Sequence, residues 1–287
     1  MWLRLFRADP NSNVDKIELP GRTRFTRAGN EESGLYTVDD SIKQKELFDF
    51  WSGNPCDGQA TLPARRDFRY QKEAWLLSEL TKIGQRHANI LEVGSGQGTD
   101  ALAICAAMKP DGSYMGIDYS SGSVAAARQA VSEAGVLPVT PEFRTGDATR
   151  LPFGDETFEA VYSMGVLHHV ADTEGALREV WRVTKTGGTV YIALYNSNSI
   201  KLRVAHGLRR LQRGLNRLFH SEACLLPLAR VLPQERFGTM FIECFGVPVL
   251  KSYRQSEIDN LFTGFAIRRR IEIGHHQSFW FIEAQRV

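Results

Sequence analysis

Between residues 89 and 195 short continuous apolar runs alternate with apolar positions at helical spacing, which predicts an architecture from pattern alone. Asn89 to Val93 reads as a buried strand, and the helix starting near Thr99 carries Ala101, Leu102, Ile104 and Ala107. Tyr114-Met115-Gly116-Ile117 forms a second strand ending at Asp118. The helix after it has Ser120, Ser121 and Ser123 as candidate caps and Val124, Ala127 and Val131 in its apolar set. Strands follow over Val139 to Arg144 and Phe158 to Ser163, then a helix over Glu174 to Val183. A Gly187-Gly188 turn leads into a fifth strand, Thr189 to Leu194. Strands separated by helices call for parallel pairing with right-handed crossovers. Residues 88–196 are therefore expected to form the core of an open, three-layer α/β sheet.

The flanks carry different patterns. Residues 1–87 are expected to form an N-terminal arm and cover, polar and punctuated up to about residue 45. A short helix over Lys43 to Trp51, a turn-rich stretch from Gly53 to Gly58, and a helix over Arg69 to Ile83 follow. The aromatics Phe48, Phe50, Trp51, Phe68, Tyr70 and Trp75 suit a cover folded over a ligand, and packing against the sheet explains them equally well. Residues 197–250 are expected to be an insertion that opens with an amphipathic helix. In it, Ile200, Val204, Leu208, Leu211, Leu215 and Leu218 recur at three- and four-residue steps, and no acid stands between residues 197 and 220. Its basic residues, Lys201, Arg203, Arg209, Arg210, Arg213 and Arg217, leave three readings open: a solvated face on a packed helix, a substrate lid or funnel, or a membrane-surface contact. Residues 221–250, broken by prolines and glycines, suit an irregular cap. Residues 251–287 supply a helix over Tyr253 to Phe262, a β-prone run from Phe265 to Ile273, and a last strand over Phe279 to Ala284, with His275-His276 in a turn or late strand.

Composition narrows the class. At 287 residues, 43% hydrophobic and 24% charged, the chain is long and apolar enough to bury a full core. Lys and Arg number 35 against 33 Asp and Glu, so overall charge gives no reason to expect nucleic acid as a partner. Cys56, Cys105, Cys224 and Cys244 lack paired metal spacing and read as reduced thiols, and the histidines form no H-E-x-x-H set, so no metal is expected. The opening apolar run is too short for a signal peptide, and no stretch approaches the ~20 apolar residues of a membrane span. The expectation is a cytoplasmic protein without an integral membrane segment. Peripheral membrane contact and a homodimer stay open.

In such a sheet, ligands bind beyond the carboxyl ends of the strands. There the sequence places Gly94-Ser95-Gly96, Asp118, Asp147, Met164-Gly165 with His168-His169, and Tyr195-Asn196. A glycine turn lets backbone approach a ligand closely, and the helix behind it offers unpaired N–H groups. Tight turns of this kind also occur without a ligand. Asp118, 22 positions after Gly96, can accept from both hydroxyls of a ribose, though strand-end aspartates also serve as caps. The G-S-G-Q-G spacing over Gly94 to Gly98 differs from the G-x-G-x-x-G that accommodates a pyrophosphate.

Glu92-Val93-Gly94-Ser95-Gly96-Gln97-Gly98, Gly116-Ile117-Asp118-Tyr119-Ser120, Gly146-Asp147-Ala148, Leu151-Pro152-Phe153 and Val166-Leu167-His168-His169-Val170 occur in that order. Together they resemble the successive motifs of the class I S-adenosylmethionine-dependent methyltransferases, in particular the small-molecule branch that includes ubiquinone/menaquinone-type enzymes. The resemblance covers about residues 88 to 196 and departs from the usual pattern at Thr186, where Pro is common. It implies a Rossmann-like, mostly parallel sheet of seven strands with the last antiparallel, a helical cap insertion, S-adenosyl-L-methionine as cofactor and a small-molecule acceptor. By the same resemblance Gly94, Ser95 and Gly96 pass beneath the methionine part and ribose, Asp118 binds the ribose hydroxyls, and Tyr119 lies beside the adenine. Asp147 accepts from the adenine amino group with Ala148 beside it, Met164 and Gly165 flank the reacting methyl, and Glu92 with Asp100 organises the cofactor's amino end. Candidate catalytic residues are His168, His169 and Tyr195. An imidazole suits general-base work, while a structural role for the histidine pair stays open.

Overall fold

A computed structural model describes residues 40–53, 59–219, 245–274 and 277–287. The expectations for the N-terminal arm, for Asn54 to Gly58, for the cap over residues 220–244 and for His275-His276 lie outside the described residues. Three helices, α1 (Asp40–Gly53), α2 (Leu62–Lys72) and α3 (Ala74–Arg86), precede the alternating core. The core runs β1 (Asn89–Val93), α4 (Thr99–Cys105), β2 (Ser113–Asp118), α5 (Ser121–Ala134), β3 (Glu142–Thr145), β4 (Phe158–Met164), α6 (Thr173–Val183) and β5 (Thr184–Tyr195). After α7 (Ile200–Phe219) the chain adds α8 (Gln255–Leu261), β6 (Phe265–Ile273) and β7 (Phe279–Arg286).

The strands form one seven-stranded sheet in the order β3-β2-β1-β4-β5-β7-β6. β1 to β5 pair in parallel, and β7 lies antiparallel between β5 and β6. Strand order reverses between β1 and β4, so the crevice at their carboxyl ends is where a ligand is held. Both faces of the sheet are covered. Leu91, Val161, Val180, Ile192 and Ile282 belong to the core on the α6 side, and Leu80, Ile83, Ile90, Ile104 and Phe281 to the core on the α3/α4 side. Side-chain caps start the helices where the sequence offers them: Ser120 Oγ accepts from Ser123 N at 3.1 Å, and Asp172 Oδ1 from Gly175 N at 2.7 Å.

Four boundaries differ from the sequence pattern. The single helix expected over Arg69 to Ile83 is two, because Glu73 leaves helical geometry at φ −125° and ψ 60°. Its N–H still closes α2 on Arg69 O, and its carbonyl opens α3 by accepting from Leu76 N. β3 starts at Glu142 because Pro141 has no N–H for a ladder. Gly187-Gly188 lies inside β5 rather than before it: pairing with β4 jumps from Phe158↔Thr184 to Ala160↔Thr189, and Gly187 takes φ 78° in that irregularity. Finally, the residues α7 buries are Leu202, Ala205 and Gln212, while of the apolar stripe beginning at Ile200 only Leu208 and Leu215 are half-buried.

Candidate functional site

The glycine turn between β1 and α4 is built for close packing on one side and openness on the other. Gly94 has φ 80°, and a Cβ there would stand 2.2 Å from Val166 Cγ2, so no other residue fits. A Cβ on Gly96, at φ 50°, would meet no protein atom within 4 Å. Gly94 N and Ser95 N both donate to Ile117 O, at 2.7 and 2.9 Å, which binds the turn to the end of β2. Asp118, the last residue of β2, accepts from Gly96 N and from Ser120 N, each at 2.8 Å, one on each carboxylate oxygen. Burial raises its pKa, and the two backbone donors oppose that shift.

Around this turn lies a cavity of about 670 Å³. At one end Asp147, Ala148 and Tyr119 line it; Asp147 Oδ1 accepts from Thr149 N and Oγ1 at 2.8 Å, and Phe48 meets the Tyr119 ring edge-on at 5.5 Å. This is a flat slot with a carboxylate at its rim. Next to the turn are Glu92 and Asp100, both buried. Tyr114 Oη donates to Glu92 at 2.8 Å, and burial, followed by the Asp100 charge, pushes the Glu92 carboxyl up to about 8. Asp100 accepts from Tyr162 Oη at 2.7 Å and from the Arg69 guanidinium through Nε and Nη2. Tyr70 Oη donates to Thr99 O at 3.1 Å, and Arg65 Nη1 to Gln97 at 3.1 Å, so α2 is tied directly to the glycine turn. Glu92 and Asp100 thus present one neutral and one Arg-paired carboxyl group to the cavity near neutral pH.

At the other end Met164, Gly165, His169, Tyr195, Lys201, Phe279 and Trp51 form the wall. β7 pairs with β5 so that Phe279 lies opposite Tyr195, and their rings stand 4.8 Å apart. Trp51 of α1 meets His169 at 5.1 Å. His169 Nδ1 is 2.9 Å from Val249 O; a carbonyl only accepts, so Nδ1 carries a proton in this contact.

The structure therefore gathers Glu92, Gly94, Ser95, Gly96, Asp118, Tyr119, Asp147, Ala148, Met164 and Gly165, together with His169 and Tyr195, on one cavity. It does not bring His168 to that wall. This ring is fully buried, 3.7 Å from the Tyr195 ring, and burial with the neighbouring His169 and Lys201 charges holds its pKa well below the usual imidazole value. His168 thus backs Tyr195 and is not among the residues lining the cavity. Asn196 donates to Glu272 and Gln277 O at 3.0 and 3.1 Å and fixes a turn. Sequence reasoning passed over Arg65, Arg69, Tyr162, Lys201 and Phe279. Arg65 and Arg69 repeat at i, i+4, a signal that becomes visible once α2 is read as a separate helix.

These residues suit an adenosine bearing an amino-acid tail. A carboxylate stands at ribose level, a flat slot lies on one side, buried acids stand on the other, and the buried Ser95 Oγ on the wall has no hydrogen-bond partner within the protein. The protein so defined is one that binds a nucleoside cofactor at the switch point of a doubly wound sheet. Comparison with known proteins is specific. Residues 91–192 match the family model described as a methyltransferase domain. A phosphatidylethanolamine N-methyltransferase of Cereibacter sphaeroides is 32% identical over 158 residues, 55% of this chain and 68% of that protein. A demethylmenaquinone methyltransferase of Roseiflexus castenholzii is 40% identical over 100 residues, 35% of this chain; the match spans only 40% of that protein. The magnesium protoporphyrin IX methyltransferase of Synechocystis PCC 6803, solved with bound SAH, shares the fold at a TM-score of 0.56 and 16% identity, covering 87% of this chain and all of that one. The chain belongs to the class I S-adenosylmethionine-dependent methyltransferases.

Proposed function

We propose that the protein transfers the methyl group of S-adenosylmethionine to an oxygen, nitrogen or carbon nucleophile of a small organic acceptor. The observation that carries this reading is the continuity of one cavity, whose nucleoside end at Asp118 and Asp147 runs past Met164 and Gly165 into an aromatic compartment. The cofactor supplies an activated methyl on a sulfonium. The chain's own residues hold, orient and dry the reactants. Asp118 accepts from the ribose hydroxyls with its remaining lone pairs, Asp147 accepts from the adenine amino group, and Tyr119 covers the ring. Glu92 and Asp100 receive the ammonium of the methionine part, while Arg69 balances its carboxylate. Met164 and Gly165 would hold the methyl-bearing end of the cofactor next to an acceptor lodged by Tyr195, Phe279 and Trp51; alignment of reacting groups is worth several kcal/mol of barrier. The position of His169 on the cavity wall supports a proton-accepting role with an acceptor that must lose a proton, and that of Tyr195 an orienting role for the acceptor's polar group.

The aromatic wall with Lys201 at its edge fits an acceptor having an apolar body and a polar or anionic head. The relatives named for demethylmenaquinone and for phosphatidylethanolamine act, by name, on molecules of that build. Among the described residues no helix is long and apolar enough to cross a membrane. Our reading is accordingly a cytoplasmic enzyme that meets its acceptor at a membrane surface, with residues 197–250 selecting it. A homodimer, testable by light scattering, remains compatible with this reading. Incubation with S-adenosylmethionine and a panel of quinol, phenol and amine acceptors, followed by mass spectrometry, tests the activity. S-adenosylhomocysteine with a methylated acceptor is expected. Methylthioadenosine as the nucleoside product, or binding without turnover across the panel, would overturn it.

A further inference from the structure

α7 carries most of its apolar stripe on the outside, with Leu208 and Leu215 half-buried at its inner edge. Ile200 is 68% exposed, Val204 55%, Leu211 53% and Leu218 68%, whereas the side resting on the protein includes Gln212, which donates to Phe245 O. His206 and Arg209 anchor that same inner side, on Ser252 Oγ at 3.0 Å and Val247 O at 2.7 Å. On a helical projection the stripe occupies roughly one quarter of the circumference, with Arg203 and Arg210 on its flank. Both arginines are exposed, and neither has an ion pair among the described residues. A helix inserted for packing alone turns its apolar stripe inward. This one is pinned by polar bonds with most of its stripe facing away.

We propose that the outer face of α7 is a docking surface for an anionic lipid bilayer, the leucines and valine entering the acyl boundary and the arginines lying at headgroup phosphates. Charge selects this occupant. The helix has no acid between residues 197 and 220, so an isologous second copy would oppose two arginine-rich helices with no carboxylate on either. An anionic bilayer complements the stripe and its flank at once, which is the pattern of interfacial helices. Position supports it as well: Lys201, next to Ile200 at the start of the stripe, lines the acceptor end of the cavity, so docking brings the cavity rim to the lipid surface. The proposal rests on the methyl-transfer reading only for its purpose, since the surface exists whatever the reaction.

Flotation of the full chain with vesicles of phosphatidylcholine, alone or mixed with phosphatidylglycerol, tests it. Binding to the mixed vesicles only is expected. Val204→Glu with Leu211→Glu, both exposed and away from the cavity, should lower partitioning at least tenfold; Arg203→Ser with Arg210→Ser should lower it about thirtyfold. Every variant should keep the wild-type thermal shift with S-adenosylhomocysteine. No flotation of the wild type, equal binding to neutral vesicles, or unaltered binding by both variants would overturn the proposal, as would a dimer that Leu211→Glu splits without any vesicle binding. A wild type that floats but shows no thermal shift would instead overturn the cofactor reading and leave the docking surface standing.

Discussion

Replacing Asp118 with Ala removes the only carboxylate at the end of β2. In the ligand-free protein each of its oxygens accepts one backbone N–H at 2.8 Å, which leaves lone pairs on both for the two ribose hydroxyls. A hydrogen bond to a charged group contributes about 1.5–3 kcal/mol, so two such bonds contribute roughly 3–6 kcal/mol before desolvation is subtracted. Asp118 is already half-dry in the free protein, as the burial-raised pKa shows, so further desolvation on binding is modest. We therefore expect Asp118→Ala to weaken S-adenosylhomocysteine at least about a hundredfold, close to 3 kcal/mol. The same change leaves Gly96 N–H and Ser120 N–H without their acceptor, at about 1 kcal/mol each, so titration calorimetry must be paired with a melt showing that the variant is folded. A 2′-deoxy analogue closes the cycle: it should lose affinity for the wild type and very little more for the variant. Weakening below threefold, or an equal loss with the deoxy analogue in both proteins, would refute the ribose assignment.

Burial raises the Glu92 carboxyl from 4.5 to about 8, so its contribution to stability is full below pH 4.5 and is lost as pH rises through 8. Glu92→Gln cannot ionise; its melting temperature should gain on the wild type across that window, and a constant difference would show Glu92 already charged in the fold. Gly94→Ala combines a left-handed φ with a Cβ inside Val166 and should cost about 2–5 kcal/mol in urea melts, an unchanged midpoint contradicting the close packing. With an acceptor that must lose a proton, His169→Gln should lower kcat at least tenfold at unchanged cofactor affinity, whereas His168→Gln should act first on the melting temperature. The reverse ranking would move the base to His168.

The alternation of strands and helices from Asn89 to Tyr195 was legible because each strand is an apolar run bounded by turn chemistry. That Gly94, Asp118 and Asp147 line one cavity was legible for the same reason: they sit at or just beyond strand ends within short motifs. The acceptor end was not. Trp51, Lys201 and Phe279 come from α1, α7 and β7, and only the placement of β7 between β5 and β6 sets Phe279 against Tyr195. The break at Glu73 left no trace either, since Trp75, Leu76, Leu80 and Ile83 keep helical spacing and no Gly or Pro marks it. For α7 the periodicity announced a stripe, but polar bonds from His206, Arg209 and Gln212 decide which side rests on the protein.

The short helix α2 is bonded at three points to the turn and helix start that follow β1: Arg65 on Gln97, Tyr70 on Thr99, Arg69 on Asp100. Moving α2 and loosening that turn are then a single event. A bound cofactor that steadies the turn must also steady α2, and by reciprocity a released α2 must shed affinity for the cofactor.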